Sequence, residues 1–257
     1  MSRPAPMWRA ILAQTTVELR LTARRGENLV AMLAVPAGLL LFLGSTRVLP
    51  EPATGTRVDA LLPGILALAI VATGLVNLGI ATAYERSYGV LKRLGGSPLG
   101  RPGLIAAKVL AIVVIELGLV VLLAGLAAGV LGWRPPGPVL LPLLVVSVML
   151  GTATFAGFGL AMAGTLRAEA TLVFANVLFL LVMAVGGVLV PVTDLPGPMA
   201  RVAGLFPSAA LAEGLRAGLG GTGGAAEGFG STTGSLAILA VWALIAGVLA
   251  VRTFRWD

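Results

Sequence analysis

Three groups of residues in this chain could do chemistry, and none of them is a catalytic centre of a familiar kind. Glu116 sits among Val113, Val114, Ile115, Leu117 and Leu119. A carboxylate in such apolar surroundings is costly if ionised, so it must be protonated, paired, or turned to a wet cavity. Its chemistry is either proton coupling or a structural hydrogen bond to a neighbouring helix. Asn77 and Asn176 lie in other apolar runs, where an amide bonds across helices or lines a path for cargo. The third group is Glu85, Arg86, Lys92 and Arg93 around Val90, Leu91 and Leu94, a charged rim about an apolar ridge of the sort that docks another protein.

The inventory excludes a great deal. The chain has no cysteine and no histidine, which removes disulfides, thiolate and imidazole metal sites and histidine-based catalysis. No Gly-x-x-x-x-Gly-Lys-Ser/Thr occurs, so nothing here would bind nucleotide phosphates, and no nucleophile has a base to activate it. We therefore expect no catalytic residue, no metal and no cofactor in this chain. Uphill work would draw its energy from another chain or from an ion gradient.

The elements that carry these groups are apolar and long. Hydrophobic residues make up 58% of the chain and charged residues 11%, against about 25% charged in an ordinary soluble domain. Apolar runs, interrupted by charge only at Glu116 and bounded by Asp194, extend over Leu29 to Thr46, Ala60 to Ala83, Val109 to Trp133, Val139 to Leu166, Ala170 to Asp194 and Leu236 to Val251. A helix that rises about 1.5 Å per residue needs about 20 apolar residues to cross a hydrocarbon layer about 30 Å thick. The expectation is an all-α polytopic protein of one domain, with six spans at 29–46, 60–83, 104–132, 139–166, 170–190 and 235–251. Pro36 falls in the middle of the first span, which we expect to be kinked and retained as a span rather than removed as a leader.

Net charge is +7 with a pI near 11.2. In a soluble protein that would suggest nucleic acid; here the placement of charge speaks for topology instead, and no nucleic-acid partner is expected. With six spans and both ends in the cytoplasm, thirteen of the eighteen basic residues lie inside. The outer five, Arg47, Arg57, Arg134, Arg201 and Arg216, are matched by Glu51, Asp59, Asp194, Glu213 and Glu227. A basic inside and a neutral outside is the asymmetry that orients helical membrane proteins.

Within the cytoplasmic segment 1–28, Trp8, Ile11, Leu12, Thr15 and Leu19 recur at helical spacing, with Arg9, Thr16, Arg20 and Arg24 elsewhere on the wheel. This predicts an amphipathic helix in the inner interface against anionic lipid, or else a cytoplasmic helix packed on a partner. In the loop 84–103, one short helix ending at Gly95-Gly96 is expected, after which Ser97-Pro98 restarts the chain. Gly118, Gly125, Gly129 and Gly132 form a smooth stripe suited to close helix packing, whereas Gly157-Phe158-Gly159 is a weak signal in so glycine-rich a chain. Region 191–234 is broken by prolines, yet Met199 to Phe206 and Ala209 to Leu219 are apolar enough for two half-helices dipping into the outer leaflet, with a flexible loop after them.

Three patterns resemble the membrane subunits of ATP-binding-cassette type-2 exporters, the group that includes the daunorubicin-type drug-resistance permeases. They are Arg24-Arg25-Gly26-Glu27-Asn28 before a span containing Pro36; Glu85-Arg86 with Gly89 to Leu94 and Ser97-Pro98-Leu99; and Val190-Pro191 to Phe206-Pro207 followed by Ala212-Glu213-Gly214-Leu215-Arg216. The resemblance implies a coupling helix at Glu85 to Leu94, gripped by a separate nucleotide-binding ATPase subunit that holds the ATP and magnesium. It also implies a second permease protomer, identical or paralogous, and a place in the bacterial plasma membrane. Cargo would be a hydrophobic drug or lipid, which an aromatic content of only 5% favours over a polysaccharide. The readings kept beside it are a proton-coupled carrier using Glu116, and a membrane scaffold or lipid-modifying subunit.

Overall fold

A computed structural model describes residues 6–24, 26–46, 48, 55–96, 99–185, 203–221 and 231–255. Every regular element among them is helical. α1 (Met7–Arg24) leads to α2 (Gly26–Ser45), which stays helical through Pro36. The hydroxyl of Thr56 and the carboxylate of Asp59 form a reciprocal capping box, satisfying the first free donors of α3 (Arg57–Val71). α3 passes without a break into a π-helical stretch, Ala72–Leu78, and then into α4 (Gly79–Ser87). This rod of 31 residues is the most enclosed long helix of the bundle. A short α5 (Val90–Leu94) precedes α6 (Gly100–Val130), α7 (Leu141–Thr165) and α8 (Ala168–Val185). α9 (Pro207–Gly218) and α10 (Thr232–Thr253) follow among the described residues.

Four helices among the described residues are long and apolar enough to cross a membrane: Arg57–Ser87, Gly100–Val130, Leu141–Thr165 and Thr232–Thr253. Two shorter apolar helices, Met32–Ser45 and Ala168–Ala184, join them. The protein is thus all-α and polytopic. Residues 186–190, which would finish the fifth expected span, lie outside the described residues, as do Ser97-Pro98 and, in the proline-broken region, residues 191–202 and 222–230.

α7 is the hub, packed against the α3–α4 rod, α9 and α10. Two glycines dismissed as unspecific make that possible, because positions 157 and 159 face opposite sides of one helix. A Cβ on Gly157 would lie 2.8 Å from Ala246 Cβ of α10, and one on Gly159 would lie 2.7 Å from the carbonyl oxygen of Gly74 in the π-helical stretch. Around these contacts one apolar core joins Leu62, Leu66, Leu75, Leu123, Phe155 and Leu211. A second, toward the α4 end, joins Leu78, Leu91, Leu104, Ile112, Leu160 and Phe254.

The expected half-helix Ala209 to Leu219 appears as α9, started by Pro207 at its first turn and buried over eleven of its twelve residues among α3, α7 and α10. Of its companion, Met199 to Phe206, the first half, residues 199–202, lies outside the described residues. The glycine stripe on α6 packs no helix among the described residues: a Cβ on Gly118, Gly125 or Gly129 would meet nothing within 4 Å. The helix buries its other side, through Leu119, Leu123 and Ala127.

Candidate functional site

At the α4 end of the rod, the single helix expected from Glu85 to Leu94 is two pieces. Ser87 ends α4, and Gly89 takes φ +71°, a left-handed conformation that costs glycine little and other residues much. The turn redirects the chain, so α5 is set apart from the span that precedes it. Leu91, expected on an outer ridge with Val90 and Leu94, points inward and is 1% exposed, anchored beside Leu78, Leu99 and Leu104. Leu94 is half-buried on the same core. What α5 offers outward is Val90, Lys92 and Arg93, with Tyr88 exposed beside them.

Glu85 and Arg86 belong to α4 rather than to the short helix, and each ties it to another element. Arg86 Nη2 donates to the carbonyl oxygen of Leu166, the residue capping the end of α7, where a cation suits the free carbonyls. Glu85 Oε2 lies 2.8 Å from Lys108 Nζ of α6. Lys108 is in turn 3.1 Å from Glu18 Oε1 of α1 and is only 2% exposed. One buried ammonium thereby joins three helices at the base of the bundle. Alongside it, α1 lies against α6, and the Thr15 hydroxyl is 3.3 Å from the Ala107 carbonyl oxygen. Trp8, Leu12, Val17 and Leu21 remain exposed on α1, and Arg9 stacks 5.1 Å from the Trp8 ring centre. α1 thus both packs on the chain and keeps an exposed apolar margin.

Sequence reasoning missed this triad, having counted Lys108 only as a basic residue. The available signal was its position inside the apolar run Ile105 to Val113, where a cation needs counter-charges.

Midway along the bundle, Glu116 is completely buried. Thr73 Oγ1, from the π-helical stretch, donates to its Oε1, and Thr152 Oγ1, from α7, donates to its Oε2. Three spans meet at one carboxyl group. Asn77 and Asn176 do not join this cluster; both are exposed, and Asn176 Nδ2 donates to the Leu172 carbonyl one turn back, at 2.7 Å. They stand on the π-helical stretch and on α8, which pack together.

At the far end, Trp133 Nε1 donates to Asp59 Oδ1 at 2.8 Å, and Arg216 pairs with Glu213 at 2.6 Å. The crevice between Asp59, Trp133 and Arg216 has a cavity volume of about 10 Å³, room for about one water and far below the roughly 300–1,000 Å³ of sites for drug-sized ligands. No cluster of three or more metal-ligating side chains occurs among the described residues.

A family model described as ABC-2 type transporter matches residues 9–219, from the first turn of α1 to the end of α9. The chain belongs to the ABC-2 type transporter family. No curated protein matches the chain at a meaningful level. As an ABC-2 membrane domain it is a permease component and a multi-pass membrane protein. The match takes in α5, the Lys108 triad and the Glu116 cluster, and it ends before α10.

Proposed function

We propose that this ABC-2 permease is the membrane half of an exporter whose ATP is hydrolysed by a separate subunit docked on α5. Cargo is a hydrophobic drug-like or lipid-like molecule taken from the cytoplasm or inner leaflet, and two membrane subunits enclose its path. The protein works in a bacterial plasma membrane with both termini in the cytoplasm, an orientation supported by the excess of Arg and Lys on the α1 and α5 side.

The observation that carries this reading is the build of α5. Lys92, Arg93 and Val90 face outward on a helix held from below by Leu91 and hinged by Gly89. Force applied there reaches α4 through the turn, α6 and α1 through Lys108, and α7 through Arg86. An exposed basic patch on a firmly seated helix suits a partner with acidic residues in its groove. ATP and magnesium would be held by that partner. Its hydrolysis cycle would rock the spans, and the exposed amides Asn77 and Asn176 would line the cargo's path.

Exchanging both cations, Lys92→Glu with Arg93→Glu, is expected to leave expression and melting temperature within about 1 °C, because surface substitutions usually change stability by less than ~0.5 kcal/mol. Transport in inverted vesicles and stimulation of the co-expressed ATPase should both fall more than about tenfold, in line with removing a few kcal/mol of interface energy. Normal export by this variant overturns the docking assignment. So does transport by the purified chain alone in a pH gradient without any nucleotide-hydrolysing subunit, which would instead make it a proton-coupled carrier.

A further inference from the structure

The seven π-helical residues Ala72–Leu78 interrupt a rod that is α-helical on both sides. π-helical turns are rare and persist only where surrounding contacts hold them, frequently at functional positions. Two sets of contacts hold these. The carbonyl oxygens of Gly74 and Leu75 press on Gly159 of α7, where a Cβ would lie 2.7 and 2.8 Å from them. The Thr73 side chain is bound to Glu116, which Thr152 fixes from the other side.

The two threonines have a second choice of acceptor. Thr73 Oγ1 also lies 3.0 Å from the Ala69 carbonyl oxygen, and Thr152 Oγ1 lies 2.7 Å from that of Val148. A hydroxyl has one hydrogen, so each serves either Glu116 or its own helix. When the cluster opens, both hydroxyls keep a partner while Glu116 loses two. A buried carboxyl group without partners is costly, so opening requires work done on the bundle.

We propose that Glu116 is a positioning residue that clamps span two in its π-helical register, and that opening the clamp lets these turns relax to α geometry. Losing the extra residue of a π turn rotates α4 against α3 by one helical step, about 100°, with a shift of about 1.5 Å. α4 carries Glu85 and Arg86 at its end, so this is the motion that α5 would drive or follow. The proposal deepens the exporter reading and rests on it for the source of work, but not for the clamp itself.

The absence of native cysteine allows a direct test in the full chain. Single cysteines at Ile80, Ala81, Thr82, Ala83 and Tyr84, and at Leu66 and Ile70 as references in α3, are reacted with a maleimide in lipid nanodiscs without any ATPase. With Glu116 intact, positions 82 and 83 should be protected, since both side chains are at most 1% exposed. Glu116→Leu should move the protected pair in α4 by one position, changing rates at least tenfold, while 66 and 70 stay protected. Glu116→Gln, which can still bond both hydroxyls, should keep the original pattern. An unchanged pattern in Glu116→Leu overturns the clamp, as does the same shift in Glu116→Gln. If Glu116→Leu exposes the α3 references too, marking unfolding, the volume-conserving pair Thr73→Val and Thr152→Val takes its place under the same criterion. With the ATPase added, Glu116→Leu should still bind it but transport at least tenfold more slowly; normal transport overturns the role in the drive. Failure of docking by Lys92→Glu with Arg93→Glu is a separate result that leaves the clamp standing.

Discussion

Lys108→Met is expected to destabilise the bundle by about 2–4 kcal/mol and to abolish transport. Breaking a buried ion pair by removing one partner costs roughly 3–5 kcal/mol, because the other charge is left without compensation. Here two charges are left, Glu18 and Glu85, and they repel each other across the vacated position. The cost is reduced because Glu18 and Glu85 retain 15% and 27% side-chain exposure, so water screens what the ammonium no longer does. Methionine fills the lysine stem, which separates the loss of charge from the loss of packing. Glu18→Gln or Glu85→Gln alone should cost less, since one carboxylate still pairs with Lys108. Adding both glutamines to Lys108→Met should recover most of the stability, as uncharged replacements of buried ionic clusters often do. Thermal unfolding in detergent, followed by retention on size exclusion, measures each step. A Lys108→Met protein as stable as the parent would reduce the triad to a surface contact.

This triad also shows where sequence reading stops. Long apolar helices could be foreseen because a long apolar run has one stable home, and the rod Arg57–Ser87 contains residues 60–83. α9 was legible for a similar reason: Pro207 starts it and small apolar residues fill it. The partners of Lys108 were not legible, since Glu18 is 90 residues away and nothing local points to it. Glu116 stood out by its cost, but Thr73 and Thr152 are ordinary threonines until the fold brings them 43 and 36 residues along the chain to one carboxyl group. The break at Gly89 was hidden because the charged rim reads continuously from Glu85 to Arg93, and only the backbone angle separates α4 from α5. No residue pattern announces the π-helical turns at all. They arise from what α6 and α7 press against that stretch.

Gly159→Leu should prevent the bundle from assembling, while Gly125→Leu should leave it intact, although periodicity alone favours the opposite. A side chain at position 159 begins 2.7 Å from the Gly74 oxygen, 2.8 Å from the Leu75 oxygen and 3.3 Å from Gly79 Cα. All three are backbone atoms, which no rotamer change can move aside. Even Gly159→Ala must separate α7 from the rod, at about 1–3 kcal/mol by analogy with overpacked cores. Leucine adds three more carbons to the same gap, and the expected result is loss of the monodisperse peak on size exclusion. At Gly125 a Cβ meets nothing within 4 Å, so melting should be unchanged. Any loss of transport in that variant would then come from a contact outside the chain, such as the second protomer. The contrast follows from one fact about helices: spacing along the sequence defines a face, but only the fold decides what that face meets.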